Sequence, residues 1–203
     1  MRNYGRRLGR SFYARDPVTL ARDLLGRILL YESPQGLVGG RIVETEAYTG
    51  ETDPASHAFR GRSARNAVMF DKPGLAYVYF SYGMHHCLNV TADRVGVAGA
   101  VLLRALEPVQ GIEVMQQTGV NGPLERLLSG PGKICKAFGL SLKDNGRDLV
   151  EGPLRIASGR EVPAAEVSVS PRIGISRAVT LPYRFFVSSS PSVSGPRRAL
   201  KAG

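Results

Sequence analysis

The sequence is poor in residues that bind metals or form disulfides. Its 203 residues include two cysteines and three histidines, and Cys87 and Cys135 form no CxxC pair. Two cysteines are too few for a disulfide-stapled secreted domain, so we expect reduced, buried thiols in a cytosolic type of protein. His85 and His86 are adjacent, and in a strand they would point to opposite faces. Because they could not both bind one metal, we expect no metal site.

The chain also lacks membrane-spanning, signal and nucleotide-binding patterns. No apolar run approaches the length of a membrane span, and the N-terminus has no hydrophobic segment of a secretory signal. Neither GxGxxG after a strand nor GxxxxGK[ST] occurs, so no nucleotide cofactor is indicated, and we expect no cofactor. These absences favour a cytoplasmic protein without a membrane partner.

Both ends are predicted to lie outside the folded domain. Residues 1–15 hold five arginines and no acid, which favours a basic N-terminal arm and leaves organellar targeting open. Residues 189–203 are rich in serine, proline and basic residues, a composition typical of a flexible tail. The predicted folded domain is therefore residues 16–188.

Acidic residues are few relative to basic ones. Lys plus Arg number 27 and Asp plus Glu 17, which gives a formal net charge of +10. A charge of this size indicates polyanionic partners such as DNA, RNA or an acidic membrane surface, and it says little about fold. Hydrophobic residues make up 43% of the chain, enough for the core of one domain at this length.

Strand-like and helix-like segments are mixed without regular alternation. Asp16 and Pro17 are typical of a helix N-cap and first helical residue. Turn residues predict a connection between two strands, residues 28–31 and 36–48. A long polar loop over residues 50–74 precedes further strand-like and helix-like runs. This pattern predicts an α+β fold, a single domain with a curved antiparallel β-sheet and flanking helices.

The stretch RIVETEAYTG, residues 41–50, places two acids in a predicted strand. Side chains alternate along a strand, so Glu44 and Glu46 should share one face with Ile42 and Tyr48. Paired carboxyls suggest glycosidic bond cleavage, in which inverting enzymes keep them about 6.5–9.5 Å apart. Two acids on one strand point in parallel, however, and cannot easily flank a sugar. We therefore expect one catalytic acid and one supporting acid, with two solvated strand glutamates as the alternative.

Tyrosines cluster in LAYVYFSYG, residues 75–83. Tyr77 and Tyr79 should share one face of a strand, and Gly83 predicts a turn that leaves Tyr82 at the tip of a β-hairpin. Such a ring could cover the hairpin's own core, or it could enter a base stack as a wedge. The basic charge of the chain favours the second alternative.

A basic loop, FRGRSARN, carries Arg60, Arg62 and Arg65. Such a loop is usually a solvated surface. Next to a groove, its side chains would bind phosphates, which position a nucleic acid without reading its sequence.

Six segments carry a resemblance to a known family: VETEAY, ASH, MFDKPG, YVYFSYGMHHCLNV, VLLRALEP and SGPGKICKAF. In this order they closely resemble the alkyladenine (3-methyladenine) DNA glycosylase family, from about Asp16 to Ser188. The resemblance implies a single-domain α+β fold with an antiparallel sheet and a protruding β-hairpin that intercalates into DNA. It also implies a monofunctional enzyme that hydrolyses the bond between a damaged purine and its sugar in double-stranded DNA, in base excision repair. We expect a monomer in the cytoplasm, at a bacterial nucleoid.

The resemblance implies roles for residues that would carry out the reaction. Glu46 matches the general base that activates the attacking water, and Arg104 matches an arginine near that water. Tyr48 and Tyr79 match the rings that sandwich the flipped base. Tyr82 matches the intercalating residue that fills the gap left in the duplex.

Two further positions match residues that select the base. His57 matches a position that contacts the base edge, and Asn89 matches a residue that crowds the exocyclic amino group of normal guanine. Glu44 has no assigned role, and we expect it to be structural. The pair His85 and His86 stands where some family members have aromatic residues, which leaves the pocket floor and the substrate range open.

The implied substrates are alkylated or deaminated purines: 3-methyladenine, 7-methylguanine, hypoxanthine and ethenoadenine. The sequence leaves the preferred lesion open. A neutral base must be protonated to leave, and our hypothesis is that water supplies this proton. No lysine occurs among the matched positions, so we expect no Schiff-base lyase activity.

Two alternatives are open on the residues alone. A nucleic-acid-binding module without catalysis would share the charge and the aromatic residues, but it would not need Glu46. A carbohydrate-active glycosidase could use Glu44 and Glu46, but it should have a neutral or acidic groove. The net charge of +10 argues against the second alternative.

Overall fold

The computed structural model describes residues 4–81 and 83–196, and its centre is an antiparallel β-sheet. Eight strands occur in this part of the chain: β1 (Ile28–Ser33), β2 (Gly36–Tyr48), β3 (Ala76–Ser81), β4 (His85–Thr91), β5 (Ala100–Gln110), β6 (Leu154–Ala157), β7 (Val167–Ser170) and β8 (Arg184–Val187). Their order is β3-β4-β5-β2-β1-β6, and β8 pairs with both β2 and β7. The predicted α+β class and the antiparallel sheet are confirmed.

Strand β2 lies in the middle of the sheet and has partners along both edges. One edge pairs with β5. The other edge pairs with β1 over its first half and with β8 at Glu44–Glu46. Helix α2 (Pro17–Asp23) packs against β2 as well. This cover explains why residues 42–47, which include both glutamates, are buried.

Four α-helices occur within the described ranges: α1 (Arg10–Tyr13), α2 (Pro17–Asp23), α3 (Ile112–Gln117) and α4 (Pro131–Phe138). The predicted start of α2 is confirmed. The Asp16 carboxylate accepts hydrogen bonds from the backbone N–H groups of Val18 and Thr19, both at 3.0 Å, and Pro17 is the first helical residue. None of the helices in residues 4–81 and 83–196 is long and apolar enough to cross a membrane.

The segment 50–74 is held to the sheet by a small hydrophobic cluster of its own. The sequence predicts a long polar loop here, and the structure shows two short 3₁₀ turns, Gly50–Thr52 and Ala67–Phe70. The cluster consists of Ala58, Met69, Phe70, Tyr77, Ala98 and Ala100. Apolar anchors therefore fix this segment beside the β3–β4 hairpin.

The hairpin of β3 and β4 ends in an exposed tip. Phe80 is 45% exposed and Met84 is 70% exposed. Gly83 has φ +68°, a left-handed conformation that glycine adopts without strain. Tyr82, the predicted intercalating residue, lies outside the described residues. The exposed tip agrees with a protruding hairpin, while intercalation stays a prediction.

The described parts of both predicted terminal segments pack against the rest of the protein. Within residues 4–15, Leu8 and Tyr13 are buried between the arginines. Within residues 189–196, Val193 is only 1% exposed. A basic arm and a flexible tail are expected from the composition, but burial of these apolar side chains favours packing.

Candidate active site

Opposing β-bulges in β2 and β5 direct one arginine towards the two glutamates. In the register between these strands, Val43 of β2 and Arg104 of β5 have no partner. Bulges often re-aim a side chain next to an active site. Arg104 donates from Nε to Glu44 at 3.2 Å and from Nη1 to Glu46 at 3.3 Å. One guanidinium therefore joins both acids.

The bulge in β2 also interrupts the alternation of side chains. Ile42, predicted to share the face of the acids, packs in the main hydrophobic core together with Val43 and Ala47. The extra residue breaks the period of two that a regular strand keeps. The predicted face is confirmed for Glu44 and Glu46 and is wrong for Ile42.

Glu44 is a fully buried acid held by three donors. Its Oε1 accepts hydrogen bonds from Nε of Arg184 at 2.6 Å and from Arg104, and its Oε2 accepts the backbone N–H of Ser194 at 2.6 Å. Glu44 and Glu46 are both 0% exposed, so the alternative of two solvated strand glutamates is wrong. The contacts of Glu44 agree with a supporting role.

Glu46 has a different set of partners, and these connect it to the pocket described below. Its Oε1 accepts the backbone N–H of Ile173 at 2.7 Å. Its Oε2 accepts the Tyr48 hydroxyl at 3.0 Å and Nη1 of Arg104. Burial raises the pKa of Glu46, and Arg104, the Ile173 N–H and the Tyr48 hydroxyl offset part of this effect. A carboxylate with raised proton affinity suits the work of a general base.

The charges of this buried cluster balance. Glu44 and Glu46 carry two negative charges, and Arg104 and Arg184 carry two positive charges. Burial disfavours the charged form of Arg104, but the pKa of its guanidinium is raised overall by Glu46 and then Glu44. Paired and hydrogen-bonded charges of this kind tolerate burial, whereas a single unpaired charge does not.

A cavity of about 780 Å³ opens beside the cluster, within the size range of ligand sites. Its lining includes the five predicted base-pocket residues and one arginine of the predicted phosphate loop: Tyr48, His57, Tyr79, Asn89, Arg104 and Arg65. Glu46 does not line the cavity, but it contacts Tyr48 and Arg104, which do. The structure thus brings the predicted residues together, and their individual roles stay predictions.

Aromatic rings form one wall of the cavity. The His57 ring meets the Tyr79 ring edge to face, with centroids 4.5 Å apart, and Tyr77 lies 5.6 Å from Tyr79. His57 Nδ1 and the Tyr77 hydroxyl are hydrogen-bonded at 2.8 Å. Partial burial and then Arg65 lower the pKa of His57, so its ring is neutral at neutral pH. Burial raises the pKa of Tyr77 to about 12.

Asn89 lies on the adjacent wall and is almost completely buried. Its Nδ2 donates to the carbonyl of Tyr77 at 3.1 Å, which ties the side chain to β3. His85 also lines the cavity, whereas the His86 ring contacts the Phe80 ring at a tilt of 46°, with centroids 5.0 Å apart. In the part of the chain that the structure describes, no group of three or more His, Cys, Asp and Glu side chains could hold a metal ion.

The three arginines of the basic loop occupy different surroundings. All three are exposed. Arg65 lies at the cavity, with its guanidinium 5.9 Å from the Tyr79 ring centroid. Arg60 and Arg62 lie outside the cavity lining. Phosphate binding by these side chains stays a prediction.

Sequence reasoning misses several residues that shape the site. The side chain of Arg172 is fully buried, donates hydrogen bonds to Asp53 and lies over the Tyr48 ring, 4.5 Å from its centroid. Lys133 lines the cavity, and its Nζ donates to a backbone carbonyl. Ile173 contributes through its backbone N–H. No sequence pattern marks an arginine that will be buried. No residue type marks a position whose backbone N–H will donate to the site.

The chain is similar to a described family and to named proteins over most of its length. Residues 11–191 match the family described as methylpurine-DNA glycosylase. A protein of Carboxydothermus hydrogenoformans, named "Putative 3-methyladenine DNA glycosylase", is 50% identical over 189 residues, which cover 92% of this chain and 98% of that protein. Proteins of the same name from Chlorobaculum tepidum and Methanoculleus marisnigri are each 45% identical, over 93% and 91% of this chain and 91% and 96% of theirs. The chain therefore belongs to the methylpurine-DNA glycosylase family.

Proposed function

We propose that this protein is a monofunctional DNA glycosylase in which Glu46 activates the attacking water. The observation that carries the proposal is the buried Glu46 carboxylate, bonded to Arg104 and Tyr48 at the edge of an aromatic-lined cavity. In the reaction, the water oxygen bonds to C1′ of the deoxyribose while the bond from C1′ to the purine nitrogen breaks. Glu46 takes a proton from the water, and its charge stabilises the developing sugar cation.

We infer that the damaged nucleotide leaves the duplex to enter the cavity. An enzyme that acts on a base must extrude it from the stack, at a cost of a few kcal/mol that is least for a damaged or mismatched base. We infer that the flipped base stacks between Tyr48 and Tyr79, with His57 at its edge. We propose that Tyr82, which the sequence predicts at a hairpin tip, fills the vacated position in the stack.

The proposed substrates are alkylated and deaminated purines. A cationic lesion such as 3-methyladenine or 7-methylguanine leaves as a neutral base, and tyrosine ring faces attract such a cation by roughly 0.5–2 kcal/mol. Neutral lesions such as hypoxanthine and ethenoadenine must be protonated, and we infer that water delivers the proton. We propose that Asn89 crowds the exocyclic amino group of normal guanine, and the hydrogen bond from its Nδ2 to the carbonyl of Tyr77 supports this by fixing the side chain.

Double-stranded DNA is the proposed partner. The net charge of +10 supports binding to phosphates. Arg60, Arg62 and Arg65 are exposed, and Arg65 lines the cavity. We propose a monomer acting in the cytoplasm. Lys133 is the one lysine among the described cavity residues, and its Nζ is 2.9 Å from the Arg126 carbonyl. Because that hydrogen bond engages Nζ, and no lysine occurs among the matched active-site positions, we propose no Schiff-base lyase activity.

The test is base release by the natural protein. Duplex oligonucleotides with ethenoadenine or hypoxanthine, and methylated DNA, are incubated with the protein, and abasic sites are detected by alkaline cleavage. Release from at least one lesion is expected, with no adduct trapped by borohydride. Tight binding to every lesion duplex without release would mean a binding module and would overturn the proposal.

A further inference from the structure

Arg172 is a charged residue that reaches the site only through other groups. Its side chain is fully buried, and it is not among the residues that line the cavity. Its Nη2 donates to Asp53 at 2.8 Å, and its Nη1 donates both to the other Asp53 oxygen and, at 2.8 Å, to the carbonyl of Ala47. Ala47 directly follows Glu46 in β2. The guanidinium therefore holds the backbone next to the candidate base.

Asp53 extends this contact into the cavity wall. Its carboxylate also accepts the backbone N–H groups of Thr49 at 3.3 Å and Ala55 at 3.0 Å. Ala55 and His57, a few positions further along, line the cavity. The pair thus ties the loop that carries His57 to the end of β2.

Two further contacts link Arg172 to the reacting groups. Its guanidinium lies 4.5 Å from the centroid of the Tyr48 ring, which lines the cavity. The next residue, Ile173, donates its backbone N–H to Glu46 at 2.7 Å. A shift of Arg172 would therefore move a stacking ring and a hydrogen-bond donor of the candidate base together.

We propose that Arg172, paired with Asp53, is a positioning residue that aligns Glu46, Tyr48 and the His57 loop for base excision. Arginine suits this role because its planar fork can bind a carboxylate twice and a carbonyl at once. The proposal rests on the proposed function, since the groups it aligns are those assigned to catalysis. A displacement of about 1 Å in such groups can lower a rate by about 100-fold.

The test compares two variants with a matched control. Arg172→Lys keeps the charge but not the fork. Arg172→Met with Asp53→Asn removes both charges and keeps an acceptor for the loop N–H groups. Arg10→Met with Asp148→Asn is the control, because Arg10 likewise bonds a carboxylate and a backbone carbonyl but lies away from the cavity. All proteins are checked by circular dichroism and compared in single-turnover base release at saturating protein.

A second readout follows Glu46 without any reaction, by carbon-13 NMR titration of labelled glutamate carboxyls. The charged and titratable groups around Glu46 are Arg104, Glu44, Tyr48, Tyr79 and Arg172. In the double variant the positive charge of Arg172 and the negative charge of Asp53 are lost together. The titration midpoint of Glu46 should rise because the Ile173 N–H, which stabilises the ionised carboxylate, is less well aligned. In the control variant it should stay in place.

We expect a 10- to 100-fold slower release, on the order set by small displacements of reacting groups, in Arg172→Lys and in the double variant, with control rates unchanged. Rates equal to those of the natural protein, or an unchanged Glu46 midpoint in the double variant, would overturn the proposal. Absence of release by the natural protein would refute the proposed function instead, and the titration would still decide whether Arg172 positions Glu46.

Discussion

Replacement of Arg184 by methionine should destabilise the protein strongly. Arg184 is 1% exposed, and its guanidinium donates to Glu44 at 2.6 Å and to three further oxygens within 3.0 Å. Methionine is apolar and removes all four hydrogen bonds. Glu44 would keep only Arg104 and the Ser194 N–H as donors, and the buried cluster would carry one unbalanced negative charge.

The expected size of the effect follows from the burial of this ion pair. Removing one partner of a buried pair costs about 3–5 kcal/mol of unfolding free energy. In a chain of this length each kcal/mol lowers the melting temperature by about 2–4 °C, so the decrease should be about 6–20 °C. The double variant Arg184→Met with Glu44→Gln restores charge balance. Its loss of unfolding free energy should be about 0.5–3 kcal/mol smaller than the sum of the losses in the two single variants.

Thermal unfolding followed by circular dichroism measures all of these differences. The matched control is Arg41→Met, because Arg41 also pairs with a glutamate, Glu107 at 2.5 Å, but its side chain is 47% exposed. Exposed pairs contribute about 0–1 kcal/mol. Equal melting temperatures of Arg184→Met and Arg41→Met would refute this prediction. So would a loss of unfolding free energy in the double variant equal to the sum of the losses in the two single variants.

Three further predictions concern pH and the C-terminal segment. With 7-methylguanine, the single-turnover rate should rise with pH through a midpoint above about 4.3, the ordinary pKa of glutamate. The reason is that burial raises the pKa of Glu46 and only its ionised form accepts a proton. A midpoint at or below the ordinary value would contradict this prediction. With ethenoadenine, the rate should also fall at high pH, because the neutral base must be protonated; identical profiles for both lesions would argue against it. A chain that ends at Ser189 lacks the hydrogen bond from the Ser194 N–H to Glu44. Its melting temperature should therefore be lower than that of a chain that ends at Pro196. Equal melting temperatures would exclude a structural role for residues 190–196.

Local features of the fold could be predicted because their causes lie close together in the sequence. Asp16 caps α2 through N–H groups two and three residues away. The turn between β1 and β2 and the tip at Gly83 follow from short runs of turn residues. The antiparallel sheet follows from the mixture of strand-like runs. The long motifs of the family resemblance also pointed to residues that line one cavity in the structure, and spacing alone would not have grouped them.

The support of the site could not be predicted, because its contacts join distant positions. Ile173 is 127 positions from Glu46, Asp53 is 119 positions from Arg172, and Ser194 is 150 positions from Glu44. Pairings over such distances depend on the sheet order. The bulges that turn Arg104 towards the acids likewise depend on the register between two strands, which no local pattern specifies.

Terminal packing was hidden by composition. Basic residues in one segment and serines in the other suggested solvated chains, whereas Leu8, Tyr13 and Val193 are buried. A few apolar side chains are enough to hold a short segment when a sheet offers a complementary surface. The overall composition of a segment averages over these few apolar side chains and therefore does not reveal that they pack the segment against the protein.

The most direct test of the central claim is the single-turnover rate of base release by Glu46→Gln, measured beside the natural protein and Glu151→Gln. Glu151 is exposed, so its variant controls for loss of one carboxylate. Loss of a general base lowers a rate by about 10²–10⁴-fold, and we predict this decrease for Glu46→Gln alone, with binding to lesion DNA retained. A folded Glu46→Gln protein that releases the base as fast as the natural protein would contradict the account.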